Sequence, residues 1–204
     1  MPLYELLAYL LFVVGFALTP GPNMILYLTH TFEYGRKAGW ATVAGITSAF
    51  LVPLTAVVLG LTAVLEKWPA VFEVLRYTGI AYLLFLAWKN LKTVAWQVTA
   101  AGTKIWPLQQ FYTKGFIGNL LNPGTLFLYF SFIPQFIHPE QKHILRQNIT
   151  LCLLQMAGST LTNFTLVYVA GFATDVLKDE RYQQRLRYSM SALIVLFALK
   201  MLFS

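Results

Sequence analysis

The sequence predicts an all-α membrane protein: six transmembrane helices arranged as a 3+3 inverted repeat, with helices 1 and 4 broken at Pro/Gly motifs. Three observations carry this. Apolar residues fill 57% of the 204 positions and charged residues only 11%, against about 25% charged in ordinary soluble domains, so charge cannot cover a water-facing surface. The apolar residues fall in continuous runs rather than alternating, which argues for helices over strands. Two of those runs are interrupted midway by matched proline–glycine motifs. The same composition excludes disorder, which needs few apolar residues and many charges.

A hydrocarbon core takes about 20 mostly apolar residues per helix. Six stretches qualify: Leu3–Leu18, Gly39–Leu65 (which contains Pro53), Ala70–Leu91, Phe116–Ile137, Ile149–Ala173 and Tyr188–Phe203. No Lys or Arg precedes the first run and Glu5 lies inside it. A cleavable signal wants a positive start, so the run reads as a retained span. Between the spans, Glu33–Lys37 reads as a turn and Glu66–Pro69 as a tight hairpin. Thr93–Lys114 is the longest polar link, His138–His143 a short loop and Asp175–Arg187 the most charged stretch. Together these make one integral membrane domain over residues 1–204, with repeat halves of about 1–92 and 111–204.

The net charge is +7. In a membrane protein such an excess reflects Lys and Arg gathering in cytoplasmic loops and calls for no nucleic acid. Ten of them follow spans one, three and five: Arg36, Lys37, Lys89, Lys92, Lys104, Lys114, Lys178, Arg181, Arg185 and Arg187. The opposite side holds four, Lys67, Lys142, Arg146 and Lys200. Both termini are therefore expected outside.

The most informative residues are Thr19-Pro20-Gly21-Pro22-Asn23. They fall where the first apolar run should still be in lipid, and the prolines remove backbone donors. Leu3 to Phe32 is thirty residues, about 45 Å as one helix against a core of roughly 30 Å, so the segment is expected to break or tilt. A second break lies at Asn122-Pro123-Gly124. Aligning the two puts Thr19-Pro20-Gly21 over Asn122-Pro123-Gly124, each a capping residue followed by Pro at the first helical position. Each thus reads as a helix start inside the membrane. Three spans separate them, so their parent helices enter from opposite faces, the pattern of an inverted repeat with discontinuous helices. Helix starts expose unpaired N–H groups and positive potential, and two meeting near the midplane favour a carboxylate. Broken backbone must be buried in protein or line a cavity. Asn23, Asn119 and Asn122 are placed to add side-chain hydrogen bonds.

Leu18-Thr19-Pro20-Gly21-Pro22-Asn23 followed by Gly35-Arg36-Lys37-Ala38-Gly39 resembles the opening signature of the lysine-exporter (LysE/RhtB) family. Arg76-Tyr77-Thr78-Gly79-Ile80-Ala81-Tyr82-Leu83 resembles its third-span motif. Gly115-Phe116, Asn119-Leu120-Leu121-Asn122-Pro123 and Ile133-Pro134-Gln135-Phe136 resemble its fourth span. The likeness covers Leu3 to about Phe136 by motif and the last third by hydropathy. It implies a six-span exporter of amino acids in the bacterial inner membrane that exchanges substrate for protons. The family often carries Lys after Asn-Pro, where this chain has Gly124.

Other residues admit structural roles beside functional ones. Arg76 is an ionisable residue inside a span, which marks function, although Glu73 lies three residues back on the same helix face. Tyr82, two turns on, is a candidate cavity residue. Glu5 sits near the headgroups as a weak proton-carrier candidate, and His30 reads first as an interface residue. Gln155, Asn163 and Gly158-Ser159-Thr160 give span five a polar stripe that serves either packing or a cavity wall. No nucleotide loop, hydrolase elbow or zinc-protease motif is present. Three His and one Cys, Cys152, are too few for a metal centre or a two-thiol electron shuttle. No cofactor is expected.

The reading is a secondary transporter, not an enzyme, that exports amino acids or related small zwitterions. The candidate substrate-binding residues are Thr19, Pro20, Gly21, Pro22, Asn23, Asn119, Asn122, Pro123, Gly124, Arg76 and Tyr82. Protons are the expected coupling ion and the bilayer the expected surroundings, with the oligomeric state left open, a homo-oligomer included. The alternative is a passive channel for a small neutral solute.

Overall fold

The computed structural model describes residues 3–61, 69–92, 106–138, 143–170, 172 and 179–203, and all regular structure among them is helical. Helix α1 is Leu3–Ala17 and α2 is Pro22–Tyr34; α3 is Arg36–Ala49. Helix α4, Leu51–Ala56, runs on into a π-helical turn at Val57–Leu61. Helix α5 is Pro69–Lys92, α6 is Leu108–Leu120 and α7 is Pro123–Phe127, extended by a π turn to Phe132 and a 3₁₀ turn to Phe136. Helices α8, Ile144–Ala170, and α9, Glu180–Phe203, complete the chain.

Among the described residues, Arg36–Gly60 is long and apolar enough to cross a membrane by itself. Two bent pairs meet the same test when each is taken together: Tyr4–Ala17 with Pro22–Tyr34, bent by 53°, and Leu108–Leu120 with Pro123–Phe136, bent by 52°. The thirty-residue first segment thus breaks, as its length requires. Pro53 is accommodated because it falls in the first turn of α4, where its missing N–H costs little.

Several boundaries differ from those the sequence predicts. The link expected to run to Lys114 is already helical from Leu108, and α3, α8 and α9 likewise begin at Arg36, Ile144 and Glu180, before their apolar runs. Hydropathy detects only the apolar part of a helix, whereas these helices begin before it, and in α3 and α6 charged side chains there lie on aromatic rings. Lys114 Nζ lies 4.8 Å from the centre of the Trp106 ring, and the Arg36 guanidinium 3.7 Å from that of Phe172. The expected hairpin at Glu66–Trp68 and most of the loop at Pro139–Lys142 lie outside the described residues.

Two close approaches hold the bundle. A Cβ on Gly45 of α3 would meet the Tyr112 carbonyl of α6, and one on Gly115 of α6 would meet the Thr42 carbonyl of α3. The two backbones therefore pack directly, as small residues allow in membranes. Gly35 joins α2 to α3 at φ +85, a left-handed conformation that glycine adopts without penalty, and its N–H closes α2 on the Thr31 carbonyl. Elsewhere the core is aromatic. Phe12 of α1 stacks on Phe132 at 3.8 Å, Tyr9 meets Phe136 at 5.0 Å, and the Tyr9 hydroxyl donates to the Leu151 carbonyl of α8 at 2.7 Å. Large apolar side chains point outward instead, among them Leu11, Leu121 and Leu161 at 62%, 72% and 71% exposure. A surface of this kind suits lipid.

Candidate functional site at the two helix breaks

Both breaks border one cavity of about 260 Å³, just below the roughly 300–1,000 Å³ usual for drug-sized ligand sites and suited to one small solute. Its lining includes Thr19 to Met24 from the first break and Asn122 to Thr125 from the second. Tyr82 and Lys89 of α5, Gln155, Ser159 and Asn163 of α8, and the apolar side chains of Phe16, Phe50, Phe85 and Leu128 complete it. No Asp or Glu lines it among the described residues, and Lys89 supplies the only formal charge there.

The two breaks differ in how their backbone donors are met. At the second, Pro123 has no N–H, and Asn122 caps the helix: its Oδ1 accepts from Gly124 N at 2.9 Å. Its carbonyl accepts from Thr125 N and Leu126 N at 3.0 and 3.1 Å. Every early donor of α7 is thereby engaged. At the first, the helix starts at Pro22 rather than Pro20. Gly21 is the capping position, in extended backbone with no side chain to cap. The first intrahelical bond is Ile25 N to the Gly21 carbonyl, and the N–H groups of Asn23 and Met24 meet no acceptor among the described residues. The expected Thr19 cap is thus corrected. Thr19 belongs to the end of α1, where its hydroxyl donates to the Gly15 carbonyl at 3.0 Å, a local bond that competes with capping. The matching pair is therefore Gly21-Pro22 with Asn122-Pro123.

A hydrogen-bonded set joins the breaks. Asn23 Nδ2 donates to Asn119 Oδ1 at 2.7 Å, Thr125 Oγ1 donates to the same oxygen at 2.5 Å, and Asn119 Nδ2 donates to the Ile46 carbonyl at 2.9 Å. Asn119 is wholly buried and does not border the cavity; it ties α2, α3, α6 and α7 together. Gly124 opens directly on the space, where an added Cβ would lie 3.5 Å from Phe16 and 3.7 Å from the Tyr82 hydroxyl. Tyr82 itself packs on Phe127 with ring centres 4.8 Å apart. The side chains of Arg76 and Glu73 lie outside the described residues.

His30 is not part of the cavity. Thr42 gives its hydroxyl proton to the Ala38 carbonyl, so His30 Nδ1 is the donor in its 2.7 Å contact with Thr42 Oγ1. The ring joins α2 to α3 against Phe111. Glu5 pairs with His138 Nε2 at 2.7 Å, between α1 and the tail of α7 and away from the cavity. The span-five stripe divides: Gln155, Ser159 and Asn163, spaced by four, face the cavity. Gly158 packs against Val13, and Thr160 bonds Thr47 across to α3 at 3.0 Å. Sequence reasoning missed Lys89 as a lining residue, having read it only as a loop cation. Its place seven residues after Tyr82, on the same helix face, was the available signal.

Such a site offers backbone donors and a cation to an anionic group, neutral amide and hydroxyl groups beside it, and an apolar wall for a side chain. Comparison with known proteins bears on what it serves. A membrane protein of Bacillus subtilis, YrhP, is 27% identical over 97% of this chain and 98% of its own. A leucine efflux protein of Klebsiella pneumoniae is 28% identical, covering 94% of this chain and 92% of its own. The leucine efflux protein of Salmonella typhimurium is 29% identical over 69% and 68%. No solved structure matches. The model of the LysE type translocators matches residues 14–204, and the chain belongs to that family.

Proposed function

We propose that this protein is a secondary transporter that exports small neutral amino acids across the bacterial inner membrane in exchange for protons. The observation that carries this reading is the pair of unmet N–H donors at Asn23 and Met24, opening on a cavity the size of one amino acid. There the substrate carboxylate accepts from both groups at the positive end of α2. Lys89 adds attraction, and the side chain lies against Phe16, Phe50, Phe85 and Leu128. The leucine efflux relatives support an apolar amino acid as cargo, and the family match supports export.

Six spans in two inverted halves, with both termini outside, complete the proposal. The near-equal bends of 53° and 52° support it, as does the charge asymmetry of the links. The two halves rock about the site, and α1 and the α7 tail part to release substrate outward.

Counterflow in proteoliposomes tests the reading. Unlabelled L-leucine inside should accelerate uptake of labelled leucine from outside. Equal uptake with and without internal leucine would mark a pore instead, and a panel of other amino acids would identify a different cargo. A cytoplasm-dependent reporter fused to the C-terminus should stay inactive.

A further inference from the structure

The first break carries an acceptor as well as donors, and its direction follows from the surrounding hydrogen bonds. Asn119 Nδ2 is committed to the Ile46 carbonyl, so Oδ1 is the atom Asn119 presents to its other neighbours. It accepts from Thr125 and from Asn23 Nδ2. The Asn23 amide is thereby oriented, and its Oδ1 is buried without a partner among the described residues. On α8, Gln155 is wholly buried and borders the same cavity. Its Nε2 donates to Ser159 at 3.1 Å, and its Oε1 has no partner either. A buried acceptor left unmet loses its hydration with nothing in return, and here two such oxygens belong to residues that line the same cavity as Met24.

We infer that Asn23 Oδ1 and Gln155 Oε1 accept the α-ammonium of the substrate, with Asn119 as the positioning residue that turns Asn23 toward it. This rests on the amino-acid reading of the cavity and narrows it. One turn of α2 grips both ends of an α-amino acid, the carboxylate by backbone N–H and the ammonium by the Asn23 side chain. Neutral oxygens replace the carboxylate that would otherwise balance the ammonium, so the ligand is a zwitterion without net side-chain charge. A 2-hydroxy acid keeps the carboxylate contact but brings an extra net negative charge and only one O–H donor to the two oxygens.

The test is competition for labelled L-leucine on the full chain in proteoliposomes, using L-leucine and 2-hydroxy-4-methylpentanoate, which differ only at the α-substituent. Wild type should prefer leucine by at least about tenfold, because polar groups built for an N–H are left unpaired by the analogue. Asn23→Ala, and Asn119→Leu through it, should bring that preference down to within roughly threefold by weakening leucine and sparing the hydroxy acid. A general packing defect would weaken both ligands alike. Equal binding of the two ligands by wild type, or a proportional loss of both in folded Asn23→Ala, would overturn the inference and leave amino-acid export standing. The wild-type comparison decides even if a variant fails to fold. Binding of neither ligand, nor of any other amino acid, would overturn both.

Discussion

The two helix breaks have the same proline, the same bend and opposite chemistry. Asn122 turns its side chain onto Gly124 and its carbonyl onto Thr125 and Leu126, so the second break is closed on itself. Gly21 has no side chain to turn, and the first break stays open at Asn23 and Met24 among the described residues. A proline in a membrane helix therefore does not by itself make an anion site. The residue before it decides whether the freed donors are consumed locally or left open. The second break acts as scaffold: through Thr125 and Asn119 it supports the first.

Substitutions can break this contrast, and the largest effect is expected where the scaffold is seated. Gly115→Val drives a side chain into the Thr42 carbonyl. With backbone on both sides unable to yield, it should cost about 3 kcal/mol or more, visible as loss of monodisperse protein in detergent and a collapse of its thermal midpoint. Next comes closing the open break. Gly21→Asn introduces the cap that Asn122 provides at the other break. The backbone is extended there and a Cβ meets nothing nearer than the Thr19 carbonyl at 3.7 Å. Stability should rise by roughly a few tenths of a kcal/mol while leucine counterflow falls at least about tenfold, since each lost charge-assisted hydrogen bond is worth roughly 1.5–3 kcal/mol. A variant both more stable and less active separates capping from damage.

Opening the closed break should do less to function. Asn122→Ala frees Gly124 N and should lower stability by about 1 kcal/mol in thermal unfolding, with leucine affinity changed by less than about threefold because no bond to substrate is removed. Smallest is Thr19→Val. If Thr19 capped α2, the change would cost a cap. With its hydroxyl turned back to Gly15, the change removes one local hydrogen bond and leaves the cap of α2 untouched, so stability should fall by about 0.5–1 kcal/mol with leucine counterflow unchanged.

The contrast also explains what could be read from the chain. Proline and glycine punctuate strongly, so the two interruptions and the cavity they share follow from Pro20, Pro22 and Pro123. The exact start of α2 did not, because Thr19-Pro20 and Gly21-Pro22 are both acceptable openings. Only the geometry shows the Thr19 hydroxyl bonded backward within α1. Asn119 was legible as a polar residue near the break but not as a fully engaged strut, since its partners lie on three other helices. Gly45 gave no signal, and Gly115 only its place in a motif with no packing role attached: their meaning comes from carbonyls about seventy residues away in sequence. The even spacing of Gln155, Ser159 and Asn163 marked one face of a helix, but that face is equally suited to packing until the cavity is seen against it.

The most direct measurement is an experimental structure of the protein with L-leucine bound. Expected is a leucine carboxylate within hydrogen-bond distance of the backbone nitrogens of Asn23 and Met24, with the Asn122–Gly124 cap intact. A carboxylate held at Gly124 N with Asn122 swung away, or leucine bound outside the cavity with the first break still empty, would contradict the division of labour between the two breaks.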